Sequence, residues 1–244
     1  MNKNCFIVLS CIDSLVGKID PGERDRYNSC TLVNCYNADN DADIFLVDSS
    51  VEYDYYNTRY TDSFLTHHIK NLKYHNLSDY DPPLTRQIVH ESRDKKYTES
   101  FAFRAFVNKN FDELKKYKFI TVCSSRYITE FNVKLYEEGK IYFKQQPVIN
   151  FIDTDSSYSI VDTRKYNNDN FIRSYCSQAY AFDSKYLHDF LYVHEYVMHV
   201  CRKGYQHISL EQCLYSFTKH LRDNIVEVDW VIDGFDDDGT WYRY

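Results

Sequence analysis

The chain has 244 residues, 43% hydrophobic and 27% charged, a globular balance that excludes bulk disorder and is long enough to bury a substantial core. Its formal charge of −7 excludes the domain-wide positive field of a non-specific nucleic-acid binder; the basic groups at Arg93, Lys95 and Lys96 and at Lys115, Lys116 and Lys118 read as solvated helix faces. With six Gly, four Pro and neither a G-x-x-x-x-G-K-[ST] nor a G-x-G-x-x-G run, P-loop and dinucleotide-fingerprint readings lose their main support.

Cys5 to Leu9 is an apolar run that reads as a buried strand, too short for a signal segment. A polar loop with Gly17, Pro21 and Gly22 leads into a helix from about Arg24 to Tyr36. Asp43 to Val47, DIFLV, is a second strand ending at Asp48-Ser49-Ser50. The stretch from Val51 to His90 is rich in Tyr, His and Asn and holds Pro82-Pro83, so part of it is expected to be irregular. Apolar residues at 101, 103, 106, 107, 111 and 114 predict a helix over Thr98 to Tyr117. Phe119 to Cys123 is a third buried strand, opening at once into Ser124-Ser125-Arg126-Tyr127. Further strands are expected at Lys140 to Lys144, Val148 to Ile152 and Ser174 to Phe182, with helices at Ser184 to Arg202 and Ser209 to His220. No linker or internal repeat divides this series, so residues 1–244 read as a single α/β domain with a mostly parallel sheet flanked by helices.

The eight cysteines include no C-x-x-C pair, and several lie in apolar runs where a reduced thiol behaves as a small hydrophobe. With no apolar run near the roughly 18 residues of a membrane span, the chain is expected to be cytoplasmic. The 24 Tyr and 16 Phe suit stacking on sugars or bases as well as half-buried packing, and assign no function alone. His67, His68, His188, His194 and His199 lack metalloprotease spacing and read as scattered surface or helix histidines.

Ligands of open α/β sheets gather beyond the carboxyl ends of the strands. Here those ends are Ser10-Cys11-Ile12-Asp13, Asp48-Ser49-Ser50 and Ser124-Ser125-Arg126-Tyr127, which together could supply a nucleotide diphosphate with acceptors, donors and close backbone approach.

A set of short motifs then occurs in a telling order: Arg24, Arg26 and Tyr27 at a helix start, LVDSS at 46–50, YTES at 97–100, KFITVCSSRY at 118–127, ISLEQCLY at 208–215 and IDGFDDDG with Gly234 and Gly239. In this order the chain resembles the GT-A class of glycosyltransferases, and more narrowly bacterial and viral sugar transferases that build surface polysaccharides. Ser125 stands where that group usually has Gly.

The resemblance implies a GT-A-like (Rossmann-like) mixed sheet and a nucleotide-sugar donor, a UDP-sugar being the first choice, for hexosyl or pentosyl transfer. It places Ser10, Cys11, Arg26, Asp48, Ser49, Glu99, Ser125 and Arg126 at the donor. Asp48 would face the base or ribose, unless it is a strand-end turn residue. Arg126 would face the diphosphate, unless it is a structural arginine paired with a carboxylate such as Glu99. Glu211 is the candidate general base of an inverting enzyme, although Ser209 with Gln212 also forms an ordinary helix-capping sequence. Asp153-Thr154-Asp155 has the Asp-x-Asp form that holds Mg²⁺ or Mn²⁺, yet SSRY occupies the place where that pair normally sits. Asp39-Asn40-Asp41 and Asp236 to Asp238 read as solvated loops. The acceptor is a glycan or a hydroxymethylated pyrimidine in phage-type DNA. The competing reading, kept open by Ser125, is a catalytically degenerate nucleotide-sugar or glycan binding module.

Overall fold

Three of the apolar runs read as strands lie side by side and buried. A computed structural model describes residues 3–11, 21–49, 68–80, 95–145, 148–150, 159–161, 175–203, 210–235 and 241–243. Its strands are β1 (Cys5–Ser10), β2 (Asp43–Asp48), β3 (Leu72–Asn76), β4 (Phe119–Ser124), β5 (Tyr127–Thr129), β6 (Ile141–Gln145), β7 (Val148–Asn150), β8 (Ser159–Val161), β9 (Tyr175–Asp183), β10 (Ile225–Glu227), β11 (Ile232–Phe235) and β12 (Trp241–Arg243). Its helices are α1 (Pro21–Ala38), α2 (Lys95–Leu114), α3 (Leu187–Arg202) and α4 (Leu210–Phe217).

The main sheet has seven strands in the order β10-β6-β9-β4-β1-β2-β3. β1 is parallel to both β2 and β4, and β2 to β3, whereas β9 runs antiparallel to its neighbours β4 and β6. The sheet is therefore mixed and mostly parallel. Pairing of Ser10 with Asp48 and of Leu9 with Ser124 brings the carboxyl ends of β1, β2 and β4 into one row. Strand period 2 sorts the side chains onto two faces. Ile7, Leu9, Phe45, Val47, Ile120 and Val122 pack on α2, α3 and α4, while Phe6, Val8, Ile44, Leu46, Phe119 and Cys123 pack on α1 and on a small antiparallel sheet, β12-β11-β5.

The aromatic richness is resolved by packing. On β9, Tyr175, Tyr180 and Phe182 face the three-helix side and Cys176, Ala179 and Ala181 the other. Phe182 stacks on Phe190 with ring centroids 3.9 Å apart, and Phe143 on Tyr175 at 4.3 Å. None of the eight cysteines is joined to another.

Several elements depart from the sequence expectations. β3 lies within the stretch read as partly irregular; LKYHN is a half-buried edge strand with no clean apolar alternation. β5, β8, β10, β11 and β12 are three or four residues long, too short to carry a period. The helix expected to end at His220 stops at Phe217 and tightens into a 3₁₀ segment, Lys219–Asn224. Ser184–Tyr186 is a separate 3₁₀ turn, because the Asp183 carboxylate accepts the Lys185 N–H at 3.0 Å before α3 begins. Of the alternatives read for His194, surface or helix, the helix holds: it lies on α3 and is fully buried.

Candidate active site

The strand ends are laced together by the chain itself. The Ser49 N–H and hydroxyl both donate to the Ser10 carbonyl, at 2.9 and 3.0 Å, and the Ser125 N–H donates to the Leu9 carbonyl at 2.9 Å. Asp48 is fully buried and accepts the Tyr74 hydroxyl of β3 at 3.4 Å. Ser10 is 5% exposed, and its hydroxyl has no hydrogen-bond partner among the described residues. A buried, unsatisfied hydroxyl costs about 1–3 kcal/mol unless a ligand or water engages it. From α1, Arg24 donates to the Cys11 carbonyl at 2.9 Å, so Arg24 reaches the end of β1. Arg26 is exposed, with its guanidinium 5.9 Å from the centre of the Tyr27 ring.

β4 turns at Ser125-Arg126 into β5, and two contacts fix that turn. The buried Thr31 hydroxyl of α1 lies 3.1 Å from the Ser125 carbonyl and 3.2 Å from that of Tyr127. On β11, Gly234 faces the Tyr127 ring so closely that a Cβ there would lie 2.3 Å from Tyr127 Cδ1 and 3.2 Å from the Arg126 carbonyl. The glycine at 234 is thus required by close approach.

Two carboxylates are linked electrostatically to this turn or to each other, Glu99 to Arg126 and Glu99 to Glu211. Glu99 sits in the first turns of α2 and Glu211 in the first turn of α4. β9 continues beyond Ala179, its last residue paired with β4, so residues 175–178 overhang the β4 end. From that overhang the Ser177 hydroxyl donates to Glu211 Oε1 at 2.5 Å. Burial, which penalises a charged carboxylate, pushes the Glu99 pKa up to about 7; the Arg126 guanidinium pulls it down and the Glu211 carboxylate pushes it further up. Glu99, Arg126 and Glu211 therefore share one field. Sequence order alone separates them by 27 and 85 positions.

Beneath the cluster lies a polar chain that the sequence reading missed. His194 Nε2 is 2.8 Å from the Tyr180 hydroxyl and His194 Nδ1 is 3.1 Å from the Ser100 hydroxyl, all three groups buried. Burial drives the His194 pKa down to about 3, so the imidazole is neutral. The available signal was position: His194 continues the apolar series Leu187, Phe190, Leu191, Val197, Met198. Ser177, on an uninterrupted strand, carried no such signal.

Asp153 and Asp155 lie outside the described residues, as do Asp13, Ser50, Ser209 and Asp236 to Asp238. Asp39 accepts the Asn4 amide at 2.8 Å and the Asp41 N–H at 3.2 Å in a loop at the opposite end of the sheet. Among the described residues no group of three or more His, Cys, Asp or Glu side chains could hold a metal ion. Among the described residues, the cation acting on Glu99 is Arg126.

No protein-family profile matches the sequence, and no curated protein sequence matches it. Solved structures do. The glycosyltransferase GlyE of Streptococcus pneumoniae TIGR4 superposes with a TM-score of 0.50 at 8% identity, over 94% of this chain and 46% of that one. The chain thus spans less than half the length of GlyE. The 4-diphosphocytidyl-2C-methyl-D-erythritol synthase of Anaerococcus prevotii DSM 20548 matches with a TM-score of 0.49 at 13% identity, over 93% of this chain and 90% of that one. Mouse xyloside xylosyltransferase 1 matches with a TM-score of 0.47 at 9% identity, over 93% and 85%. The parallel run β3-β2-β1-β4 with antiparallel β9 beside it, together with the likeness to GlyE, shows that the chain has the GT-A-type, Rossmann-like fold.

Proposed function

We propose that this chain is a nucleotide-sugar-dependent glycosyltransferase, and that residues 1–244 act as one domain. The observation that carries the reading is the coupling of Glu99, Arg126 and Glu211 at the carboxyl end of β4, beside the buried row of Ser10 and Asp48. In the reaction, the acceptor oxygen forms a bond to the anomeric carbon of the donor as the bond from that carbon to the diphosphate breaks. Negative charge grows on the departing diphosphate, and Arg126 neutralises it with a planar fork of donors. Glu211, oriented by Ser177, takes the acceptor proton. Asp48 accepts from the base or ribose of a UDP-sugar, and Ser10, Cys11, Ser49 and Ser125 let the donor approach the backbone. Glu99 holds the Arg126 guanidinium and balances its charge. The outcome would be inversion.

The acceptor is proposed to be a glycan hydroxyl, hexosyl or pentosyl transfer being equally served. A charge of −7 supplies no attraction to a DNA backbone, which sets hydroxymethylated pyrimidine in second place. A divalent cation, if used, would have to come through Asp153 and Asp155; full turnover in EDTA removes that role.

The test is a thermal-shift screen against nucleotides and nucleotide sugars, followed by donor hydrolysis without acceptor. A raised Tm with one nucleotide family and slow hydrolysis of its sugar conjugate is expected. Binding without turnover selects the binding-module reading, and neither binding nor turnover rejects both.

A further inference from the structure

Among the described residues, three side-chain hydrogen bonds join α2 to α3 along their length. Arg202 Nε donates to the Tyr97 hydroxyl at 2.8 Å, the Ser100 hydroxyl meets His194 Nδ1 at 3.1 Å, and Arg104 Nε donates to Glu195 Oε1 at 2.9 Å. The outer two involve the solvent-exposed side chains of Arg202, Arg104 and Glu195. Only the middle one is wholly buried, and it continues through His194 Nε2 and the Tyr180 hydroxyl into β9. Phe103 stacks on the imidazole with centroids 4.2 Å apart, closing the ring's face.

Such a chain is a poor way to fill a core. Apolar side chains of similar volume would pack there without desolvating three polar groups, and a half-satisfied network is worse than none. What it supplies is direction. A neutral imidazole has one donor and one acceptor, and two hydroxyls can answer either, so one rotation of α2 against β9 is selected. The residue next to Ser100 is Glu99, and the Glu99 charge is felt at the Tyr180 hydroxyl.

We propose that Ser100, His194 and Tyr180 are positioning residues for Glu99, holding the first turns of α2 so that its carboxyl is kept beside Arg126 and Glu211. The chemical meaning of this device rests on the glycosyltransferase reading; its geometry does not. Among the described residues, the charged and titratable groups acting on Glu99 are Arg126 at the β4 turn, Glu211 on α4 and Tyr180 on β9. Those meeting His194 are Tyr180 and Ser100, with Phe103 as the apolar wall. The pKa of Glu99 near 7 is what confinement of this kind produces.

Two variants each remove one oxygen, Ser100→Ala and Tyr180→Phe, so that a folding failure in one leaves the other. The first readout is the Glu99 titration in full-length protein carrying ¹³C-carboxyl glutamate, the Glu99 signal being identified by its loss in Glu99→Gln. Release of α2 is expected to lower the Glu99 midpoint by about one pH unit toward the ordinary carboxylate range. The second is donor turnover, expected to fall about tenfold at unchanged KM, with the loss absent in a Glu99→Gln background. A midpoint that stays in place or rises while Tm falls would make the trio purely structural and overturn the proposal. If the wild-type protein turns over no nucleotide sugar, the glycosyltransferase reading fails, and the titration still decides the positioning.

Discussion

The two ends of the seven-stranded sheet treat charge in opposite ways. At the amino end of β2, Asp43 is a carboxylate with every need met: Lys3 Nζ at 2.5 Å, the Tyr117 hydroxyl at 2.5 Å and Lys73 Nζ at 3.4 Å, with Lys73 in turn held by Glu113 at 2.9 Å. Burial alone would raise the Asp43 pKa, but the hydrogen bonds from Lys3 and Tyr117 and the positive charges outweigh it and leave the carboxyl below its ordinary range. At the carboxyl end, Glu99 is raised by burial, with Arg126 and Glu211 acting on it in opposite directions, and the Ser10 hydroxyl has no partner among the described residues. One end spends its charges on holding β1, β2, β3 and α2 together. The other couples a carboxyl held above its ordinary range to the guanidinium of Arg126 and to a second carboxylate, Glu211.

The sharpest way to break this contrast is to remove charge from the carboxyl end. Arg126→Ala is expected to cut donor turnover by about 10²–10³-fold, the loss typical for one group that stabilises developing anionic charge, with Tm changed by only a few degrees. Steady-state kinetics beside a thermal melt measures both. Glu211→Gln should lose a comparable factor, about 10²–10⁴, while still binding nucleotide, because the amide keeps the hydrogen bond from Ser177 but takes no proton. Turnover surviving both changes would detach this end from catalysis.

Gly234→Ala tests how the turn is held. A Cβ 2.3 Å from the Tyr127 ring must push that ring aside, and Arg126 precedes it in the same turn. Overpacking of this kind costs about 1–3 kcal/mol. A lowered Tm together with weaker nucleotide binding is expected; a lowered Tm with unchanged binding would show that β11 supports the fold without setting Arg126.

Much of this contrast was legible beforehand, and the limit is physical. Buried parallel strands are continuous apolar runs, so CFIVL, DIFLV and FITVC announced β1, β2 and β4, and the rule that ligands gather at strand carboxyl ends pointed to Ser10, Asp48 and Arg126. Glu99 and Glu211 came only from the order of motifs, since nothing local makes either carboxylate special. The contributions of Ser177, Thr31 and Gly234 depend on contacts across the sequence, 34 residues for Ser177 to Glu211 and 94 for Thr31 to Ser125, that no periodicity encodes. His194 was grouped with surface or helix histidines, and its helical position, in register with Leu187, Phe190, Leu191, Val197 and Met198, is that of the core.

At the satisfied end, Asp43→Asn should lower stability by about 1–2 kcal/mol at pH 7 and leave turnover unchanged. A carboxyl whose folded pKa lies below its unfolded value contributes stability that is present above the unfolded value, about 3.9, and is lost as pH falls through the folded one. The Tm gap between wild type and Asp43→Asn should therefore be widest near neutral pH and close below about pH 4. A constant gap down to acid pH would mean that packing, and not charge, joins β2 to α2.

Glu99→Gln reverses every sign. The folded pKa, about 7, lies above the unfolded value of about 4.3. The folded state binds the extra proton between them, so stability is fully present below the lower value and declines as pH rises through the upper one. Glutamine keeps the neutral form at all pH. Because Glu99 is partly exposed, the gain at pH 8 is set at about 1–2 kcal/mol, roughly 2–4 °C of Tm for each, disappearing by pH 4. The same variant should lose donor turnover, since Arg126 loses the carboxylate that acts on it. A protein made more stable and less active by one oxygen-to-nitrogen exchange is what a carboxyl kept beside Arg126 against the penalty of its own burial requires. If Glu99→Gln is instead less stable at pH 8, Glu99 is an ion-pair partner of Arg126 in a structural role, and the two ends of the sheet do the same work.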